Sequence, residues 1–254
     1  MLKKIVKALF AISMGSITAV AAFGGVIDTI NQIPSTAEFQ HPDNIDPALG
    51  PPLRHAIQRS RKSVVRILSM TPEGAVASTT GTYIKAKGRY YVVTVMHGLV
   101  GPCEATRIWT EADGFTACKE IIISNPAIDY AIIEVDELPS AEAVPIPKKL
   151  PRGDEWLQTI SNQAQLYYTG YPNSTGPLTF AGRVVGYAEG DFIYMHSFAW
   201  SGASGSGVFS PDGKLVGYLL AIDVGETVHG VDVLEDIVVV VPAFKIDWSL
   251  ILER

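Results

Sequence analysis

The sequence predicts an all-β protein, and three features of the chain carry this prediction. Short runs rich in valine, isoleucine, threonine and tyrosine, such as 90–95 and 237–241, have the composition of β-strands. Turn-forming pairs that contain glycine, such as 113–114 and 212–213, lie between these runs. The runs also follow one another closely, without the regular alternation of strand and helix that α/β proteins show. This pattern is typical of a β-sandwich or a β-barrel.

Composition and charge limit the classes of function. The chain has 254 residues, of which 47% are hydrophobic and 18% are charged, so it can bury the core of a sizeable globular domain. Its formal net charge is −6 and it has no basic stripe, so we expect no nucleic-acid partner. It contains no Cys-X-X-Cys, His-Glu-X-X-His or Walker-type run, and we expect neither a metal nor a nucleotide cofactor.

A glycine-rich run at 201–207, Ser-Gly-Ala-Ser-Gly-Ser-Gly, contains the candidate nucleophile Ser204. A serine hydroxyl is a weak nucleophile unless a base takes its proton and nearby donors stabilise the oxyanion that it creates. Glycines on either side of the serine allow a tight turn whose backbone N–H groups can point to one spot beside the hydroxyl. Such runs are more often simple turns, so this motif alone does not assign catalysis.

Two further segments place a histidine and an aspartate at the ends of predicted strands. The run 90–96 leads directly into His97, which is followed by glycine, and Asp129 opens the apolar run 130–135. Alone, a histidine at a strand end is more often structural, and an aspartate beside a strand is usually a cap or turn residue. Together with Ser204, they occur in the order histidine, aspartate, serine. This order argues against the α/β-hydrolases, in which the nucleophile comes first.

These three motifs resemble those of the chymotrypsin/trypsin-like serine protease superfamily, most closely its HtrA-type bacterial branch. His97 matches the histidine after the family's apolar strand, Asp129 matches its Asp-small-Ala-aliphatic motif, and Ser204 matches its Gly-X-Ser-Gly motif. The spacings of 32 and 75 residues between them suit a compact bacterial form. The resemblance covers about residues 60–245. Three further landmarks agree with it, at 81–84, 170–172 and 216–218.

The resemblance implies a reaction and a role for each motif. The reaction would be the hydrolysis of peptide bonds in polypeptide substrates by a serine endopeptidase. His97 would take the proton of Ser204, Asp129 would hold the imidazole in the useful tautomer, and an acyl-enzyme would form on Ser204. The N–H groups of Gly202 and Ser204 would form the oxyanion hole.

The same resemblance implies two packed six-stranded antiparallel β-barrels with a short C-terminal helix. The barrels would cover about residues 60–148 and 158–242, within a protease domain at 58–254. A proline-rich stretch at 28–57 is interpreted as a linker, because prolines deny it regular strand pairing. We expect no PDZ-type peptide-binding module after the protease domain, which is a departure from HtrA-type proteins.

Residues 1–27 are interpreted as a signal peptide or a membrane anchor. Three lysines near the start precede an uncharged and largely apolar stretch at 8–27. The run 19–21 reads Ala-Val-Ala, which is a signal-peptide cleavage pattern, but the apolar stretch is also just long enough to span a bilayer uncut. Both interpretations stay open. Either one places the protease domain outside the cytoplasm, where it would be periplasmic, secreted or anchored in the membrane.

The resemblance also indicates which residues line the substrate pocket. In the family, the residues shortly before the nucleophile and the strand after the third landmark form this pocket. The matching residues here are Phe198, Ala199, Leu219, Ala221 and Ile222. None of them is charged, so a charged substrate side chain would be buried without a partner, and we expect cleavage after small or medium aliphatic residues. Asp223 is the alternative, because a different path of its loop would bring a carboxylate into the pocket.

Cys103 and Cys118 are the two cysteines of the chain. In an oxidising compartment such a pair can be bridged. A hairpin turn at 113–114 would place Cys103 opposite residue 124, so a bridge needs a looser path for one arm of the hairpin. A disulfide and a pair of free thiols both stay open.

Two other functions stay open beside an extracytoplasmic endopeptidase. One is a catalytically inactive relative that acts as a binding module, which the complete set of motifs disfavours. The other is a membrane-tethered processing protease, including one carried by a virus or phage, with the same chemistry.

Digestive relatives have an aspartate before the nucleophile that pairs with a new N-terminus, whereas this chain has Ala203. We therefore expect that no activating cleavage is needed.

Overall fold

The computed structural model describes residues 45–146, 150, 154–227 and 230–254. At 154, 157, 159, 221–227 and 230–235 it describes the backbone alone. The predicted signal or anchor segment and the first part of the predicted linker lie outside the described residues. Within them, no helix is long and apolar enough to cross a membrane.

The first half of the chain forms a curled eight-stranded sheet. Its strands are β1 (Val64–Met70), β2 (Val76–Ala86), β3 (Arg89–Thr94), β4 (Thr106–Thr110), β5 (Gly114–Ala117), β6 (Glu120–Asn125), β7 (Tyr130–Val135) and β8 (Val144–Pro145). The main path runs in the order β5-β4-β1-β2-β3-β7-β6 with antiparallel pairing, and β8 pairs with β2 in parallel. We call this the N-terminal sheet.

The second half forms a closed barrel of six strands in the order β10-β11-β14-β13-β12-β9. These strands are β9 (Gln165–Gly170), β10 (Leu178–Tyr187), β11 (Ile193–His196), β12 (Gly207–Phe209), β13 (Leu215–Thr227) and β14 (Gly230–Pro242). The helices of the molecule include α1 (Pro51–Ser63), α2 (Asp154–Thr159) and α3 (Ser249–Leu252), and α3 is the predicted short C-terminal helix.

The all-β prediction is confirmed, and the two halves differ in how far they close. The second half closes into a six-stranded barrel, as predicted. The first half has eight strands and stays open, because β5 and β6 lie at opposite ends of its path. Strand β5 has only four residues, none of them fully buried, so it adds little to a closed core.

Helix α1 precedes the first strand in sequence but packs on the second barrel. It begins at Pro51, where the fixed φ and missing N–H of proline suit the first helical turn. Ser60 Oγ donates a hydrogen bond to Thr169 Oγ1 on β9, at 2.8 Å. The helix therefore belongs to the packed domain and takes in residues 51–57, the end of the stretch predicted as a linker.

The hydrophobic core has one cluster inside each half and one where the halves meet. The cluster at the junction combines Tyr91 and Tyr130 from the N-terminal sheet with Tyr218 and Val241 from the barrel, all of them buried. Burial of apolar surface contributes on the order of 25 cal/mol per Å². The two halves share this core, and the burial of its apolar surface holds together the strand ends that meet at their junction.

Cys103 and Cys118 form a disulfide, with their Cα atoms 5.3 Å apart. The hairpin β4–β5 pairs Arg107 with Ala117, so a regular continuation of β4 would carry Cys103 past Cys118. The chain instead makes a short 3-10 turn at Cys103–Ala105, which brings the two sulfur atoms together. This turn is the looser path for one arm that a bridge required.

The disulfide should stabilise the fold measurably. Replacing both cysteines, in Cys103→Ala/Cys118→Ala, reopens a loop whose ends are 15 residues apart. The chain-entropy model assigns a loop of this size about 3 kcal/mol. Urea unfolding should show a loss of that order. The wild type should lose a similar amount on reduction, whereas the double variant should not respond to reductant. Equal stability of the oxidised wild type and the double variant would contradict the assignment.

Candidate active site

The pairing of β3 with β7 brings His97 and Asp129 together. Thr94 at the end of β3 pairs with Ala131 near the start of β7, so the residues just beyond these strand ends are neighbours. His97 lies in a 3-10 turn after β3, and Asp129 immediately precedes β7. His97 Nδ1 lies 2.5 Å from Asp129 Oδ2, and the backbone N–H of His97 donates to Asp129 Oδ1 at 2.8 Å. Both carboxylate oxygens therefore bind the histidine.

The backbone on both sides of Asp129 is also held. Asp129 has a φ of +53°, a conformation that aspartate adopts more readily than most residues. Its carbonyl accepts a hydrogen bond from Met96 N at 3.2 Å, and the preceding carbonyl, of Ile128, accepts one from Tyr218 Oη at 2.6 Å. Burial, together with the nearby Asp129 carboxylate, raises the pKa of Tyr218 well above its usual range. Tyr218 is therefore a protonated donor at neutral pH.

Ser204 lies in the loop between β11 and β12, at a turn that requires two glycines. Gly202 and Gly205 have φ values of +96° and +89°, which residues with side chains rarely adopt. A Cβ atom at Gly202 would lie 2.5 Å from Tyr171 O, and one at Gly205 would lie 2.0 Å from Thr80 O. These glycines allow the loop to pack directly against β2 and the end of β9.

Within the turn at 202–206, two of the backbone N–H groups have no backbone acceptor among the described residues. The N–H groups of Ala203, Gly205 and Ser206 donate to backbone carbonyls at 2.9, 2.7 and 3.1 Å. Those of Gly202 and Ser204 donate to no backbone carbonyl in the part of the chain that the structure describes.

The carbonyls on the same two peptide units are bound from the other side. Ser201 O accepts a hydrogen bond from Asn173 N at 2.7 Å, and Ala203 O accepts one from Ser206 Oγ at 2.5 Å. In a trans peptide the C=O and the N–H point in opposite directions. The N–H groups of the following residues, Gly202 and Ser204, therefore point away from these partners. They are available to an acceptor outside the loop.

Strand β2 links the loop of Ser204 to the turn of His97. Thr79 Oγ1 donates to Ser204 O at 2.6 Å, and Thr80 N donates to the same oxygen at 3.0 Å. The side chain of Thr79 also lies against Gly98, where a Cβ atom would come within 2.5 Å of its methyl group. Thr79 therefore contacts both segments that carry the predicted histidine and serine.

Comparison with known proteins identifies the family. A family model described as a trypsin-like peptidase domain matches residues 79–217, which include His97, Asp129 and Ser204. The chain belongs to the trypsin-like peptidase family. This membership supports a peptidase, and the family is the basis for expecting the serine type. A comparison with curated proteins gave no match.

Solved structures of other proteases share the fold of this peptidase. The serine endoprotease from Yersinia pestis has a TM-score of 0.60 and 18% identity, with 78% of this chain and 66% of that chain covered. The Rv3671c protease from M. tuberculosis, in its active form, has a TM-score of 0.60 and 18% identity, with coverage of 77% and 83%. The HtrA-type protease AlgW with tripeptide has a TM-score of 0.59 and 20% identity, with coverage of 78% and 63%.

In two of these structures, the match covers less than two thirds of the solved chain. The chain spans 66% of the Yersinia protease and 63% of AlgW. At identities of 20% or less, the likeness shows the fold. The predicted resemblance to the protease domain of HtrA-type proteins is confirmed at this level.

The predicted pocket residues of the peptidase differ in exposure. Ala199 and Leu219 are buried, whereas the side chain of Phe198 is exposed, with a relative accessibility of 60%. Phe198 stays anchored through its carbonyl, which accepts a hydrogen bond from Tyr168 Oη. The side chains of Ala221 and Ile222 lie outside the described residues, as does that of Asp223. All five pocket assignments stay predictions, and so does the alternative that Asp223 enters the pocket.

Sequence reasoning missed several residues that shape the site. Thr79 and Thr80 bind the loop of Ser204 from the N-terminal sheet, Asn173 binds it from the turn after β9, and Tyr218 holds the residue before Asp129. All four act through hydrogen bonds between segments that are distant in sequence. The polar run 78–80, directly before the landmark at 81–84, was the one local sign, because apolar residues are the usual content of a strand that is buried throughout.

Proposed function

We propose that this protein is a serine endopeptidase that uses Ser204 as nucleophile, His97 as general base and Asp129 as the residue that orients it. The observation that carries the proposal is the two-point contact of Asp129 with His97, at Nδ1 and at the backbone N–H. A carboxylate at Nδ1 favours the tautomer in which Nδ1 is protonated and Nε2 is free to accept a proton.

The proposed reaction has two halves. Ser204 Oγ attacks the carbonyl carbon of the scissile bond while His97 Nε2 takes its proton. The same proton then passes to the leaving amine as the peptide C–N bond breaks, and an acyl-enzyme remains on Ser204. In the second half, water attacks the acyl carbon and gives a proton to His97, which returns it to Ser204 Oγ as the acyl C–O bond breaks and the carboxylic acid is released. Asp129 stabilises the imidazolium in both halves.

The proposed oxyanion hole consists of the N–H groups of Gly202 and Ser204. Support comes from the absence of an internal backbone acceptor for either group among the described residues. A preorganised donor of this kind lowers the barrier by on the order of 3 kcal/mol. A binding module would have no need of such donors, but a chain that keeps the geometry without the chemistry remains the alternative outcome of the tests below.

We also propose a location outside the cytoplasm. The disulfide between Cys103 and Cys118 supports it, since such bonds persist in oxidising compartments. A periplasmic or secreted protease and one anchored by residues 8–27 both meet this condition. Polypeptides are the proposed substrates in either case.

Ser204→Ala should abolish labelling by a fluorophosphonate probe, because only a serine activated by a base reacts with it. Ser206→Ala is the matched control. Ser206 is fully buried, and its N–H still holds the Ala203 carbonyl when its hydroxyl is removed. Most labelling should therefore persist in Ser206→Ala, as measured by gel fluorescence. Undiminished labelling of the Ser204→Ala chain would contradict the assignment of Ser204 as the nucleophile.

The enzyme should be active without proteolytic activation. Ala203 cannot form an ion pair with a new N-terminus, and the loop around it is held by Asn173 N and by Thr79 and Thr80 of β2 instead. Residues 45–254 carrying an extra N-terminal tag should label with the probe as fast as the same chain after tag removal. Labelling that begins only once the tag is cut off would show that a free N-terminus is needed.

Substrate cleavage should favour small or medium aliphatic residues at the position before the scissile bond. Ala199 and Leu219 offer no charge to a substrate lysine or arginine. A charged side chain buried without a partner costs several kcal/mol, so kcat/KM should differ by on the order of 100-fold or more between matched leucine and arginine substrates. A peptide library varied at this one position measures the preference. Dominant cleavage after arginine or lysine would indicate that Asp223 enters the pocket.

A further inference from the structure

The hydroxyl of Thr80 lies between Tyr171, just after β9, and the loop that carries Ser204. Thr80 is fully buried, at 0% relative exposure. Its Oγ1 accepts a hydrogen bond from Tyr171 N at 2.9 Å and donates one to Gly202 O at 2.6 Å. The backbone of Thr80 is bound as well, since its N–H donates to Ser204 O and its carbonyl accepts from Thr94 Oγ1 at 2.7 Å. Its hydroxyl therefore has a fixed position.

Three successive peptide units determine where the N–H groups of Gly202 and Ser204 point. The first has its carbonyl at Ser201, bound by Asn173 N, and the third has its carbonyl at Ala203, bound by Ser206. The middle unit has its carbonyl at Gly202, and the hydroxyl of Thr80 binds it. This middle unit joins the other two, so its orientation sets the angle between their N–H groups.

The middle unit is held within the loop by the Ala203 N–H, which donates to Trp200 O at 2.9 Å, and from outside the loop by the hydroxyl of Thr80. It follows Gly202, which has no Cβ atom and therefore the widest choice of backbone angles. The φ of +96° at Gly202 is one of several conformations open to glycine, and a hydrogen bond to its carbonyl selects among them. Of the three partners that bind these carbonyls, Thr80 is the one that comes from the sheet that carries His97 and Asp129.

We propose that Thr80 is a positioning residue for the oxyanion hole: its hydroxyl holds the Gly202 carbonyl so that the N–H groups of Gly202 and Ser204 face one substrate oxygen. The inference rests on the proposed function. It adds that the N-terminal sheet, which supplies the base, also sets the geometry of the donors that stabilise the transition state.

Thr169 provides a matched control for the effect on stability. It is also buried, and its hydroxyl also makes two hydrogen bonds, with Ser60 Oγ at 2.8 Å and Thr179 Oγ1 at 3.0 Å. These bonds join β9 to α1 and β10, and neither reaches the loop that carries Ser204. Loss of either threonine hydroxyl leaves buried polar groups unpaired and should destabilise the fold to a similar degree. Only the loss at Thr80 should slow the chemistry.

The test compares Thr80→Val, Thr80→Ser and Thr169→Val in the full chain. The rate constant of inactivation by a fluorophosphonate, kinact, and its half-saturating concentration, KI, are measured with the thermal midpoint. Thr80→Val should lower kinact ten- to hundredfold with KI nearly unchanged, since misplaced donors act on the transition state. Thr80→Ser should return kinact to within a few-fold of wild type. Thr169→Val should lower the thermal midpoint and leave kinact unchanged.

Thr80→Ala is the second variant, for use if the valine variant does not fold, because its smaller side chain leaves room for a water molecule. It should lower kinact in the same direction. A kinact that stays at the wild-type value in Thr80→Val or Thr80→Ala would overturn the inference alone. An equal loss in Thr80→Val and Thr80→Ser would overturn it too, because serine retains the hydroxyl and the loss would then not come from the missing hydrogen bond to Gly202 O. A wild-type chain that does not label at Ser204 would overturn the proposed function along with it.

Discussion

A hydrogen bond between the two halves of the molecule, from Thr80 N to Ser204 O, is the contact on which the site depends. His97 and Asp129 belong to the N-terminal sheet, whereas Ser204 belongs to the barrel. The proposed chemistry requires the two halves to meet in one register, because a proton transfer tolerates only small errors in position. The shared hydrophobic core holds the two halves together, and the hydrogen bonds from β2 to the loop of Ser204 set their relative position at the site.

The burial of Asp129 imposes a second requirement. A carboxylate at 6% relative exposure is unfavourable unless hydrogen bonds compensate for lost water. Here His97 supplies two donors, and Tyr218 from the barrel fixes the preceding carbonyl. The hydrogen bonds from His97 that compensate for the burial of Asp129 are thus the same bonds that orient the His97 ring. Stability and chemistry at this position have the same physical cause.

Local sequence patterns predicted the all-β class, because strand composition and turn residues act over a few positions. The closed second barrel and the short C-terminal helix were implied by the resemblance to the protease family. The open first half was not predicted, since closure depends on whether the outermost strands meet. The disulfide was left open for a similar reason, because the 3-10 turn at Cys103 has no clear local signal. Thr80 was missed altogether: its role arises from hydrogen bonds to Tyr171 and Gly202, which lie 91 and 122 residues away in sequence.

A crystal structure of the protein after reaction with a fluorophosphonate would test the central claim most directly. The account predicts a covalent bond from phosphorus to Ser204 Oγ, with the phosphoryl oxygen about 2.7–3.1 Å from both Gly202 N and Ser204 N. An adduct on another side chain, or a phosphoryl oxygen directed away from these two N–H groups, would contradict it.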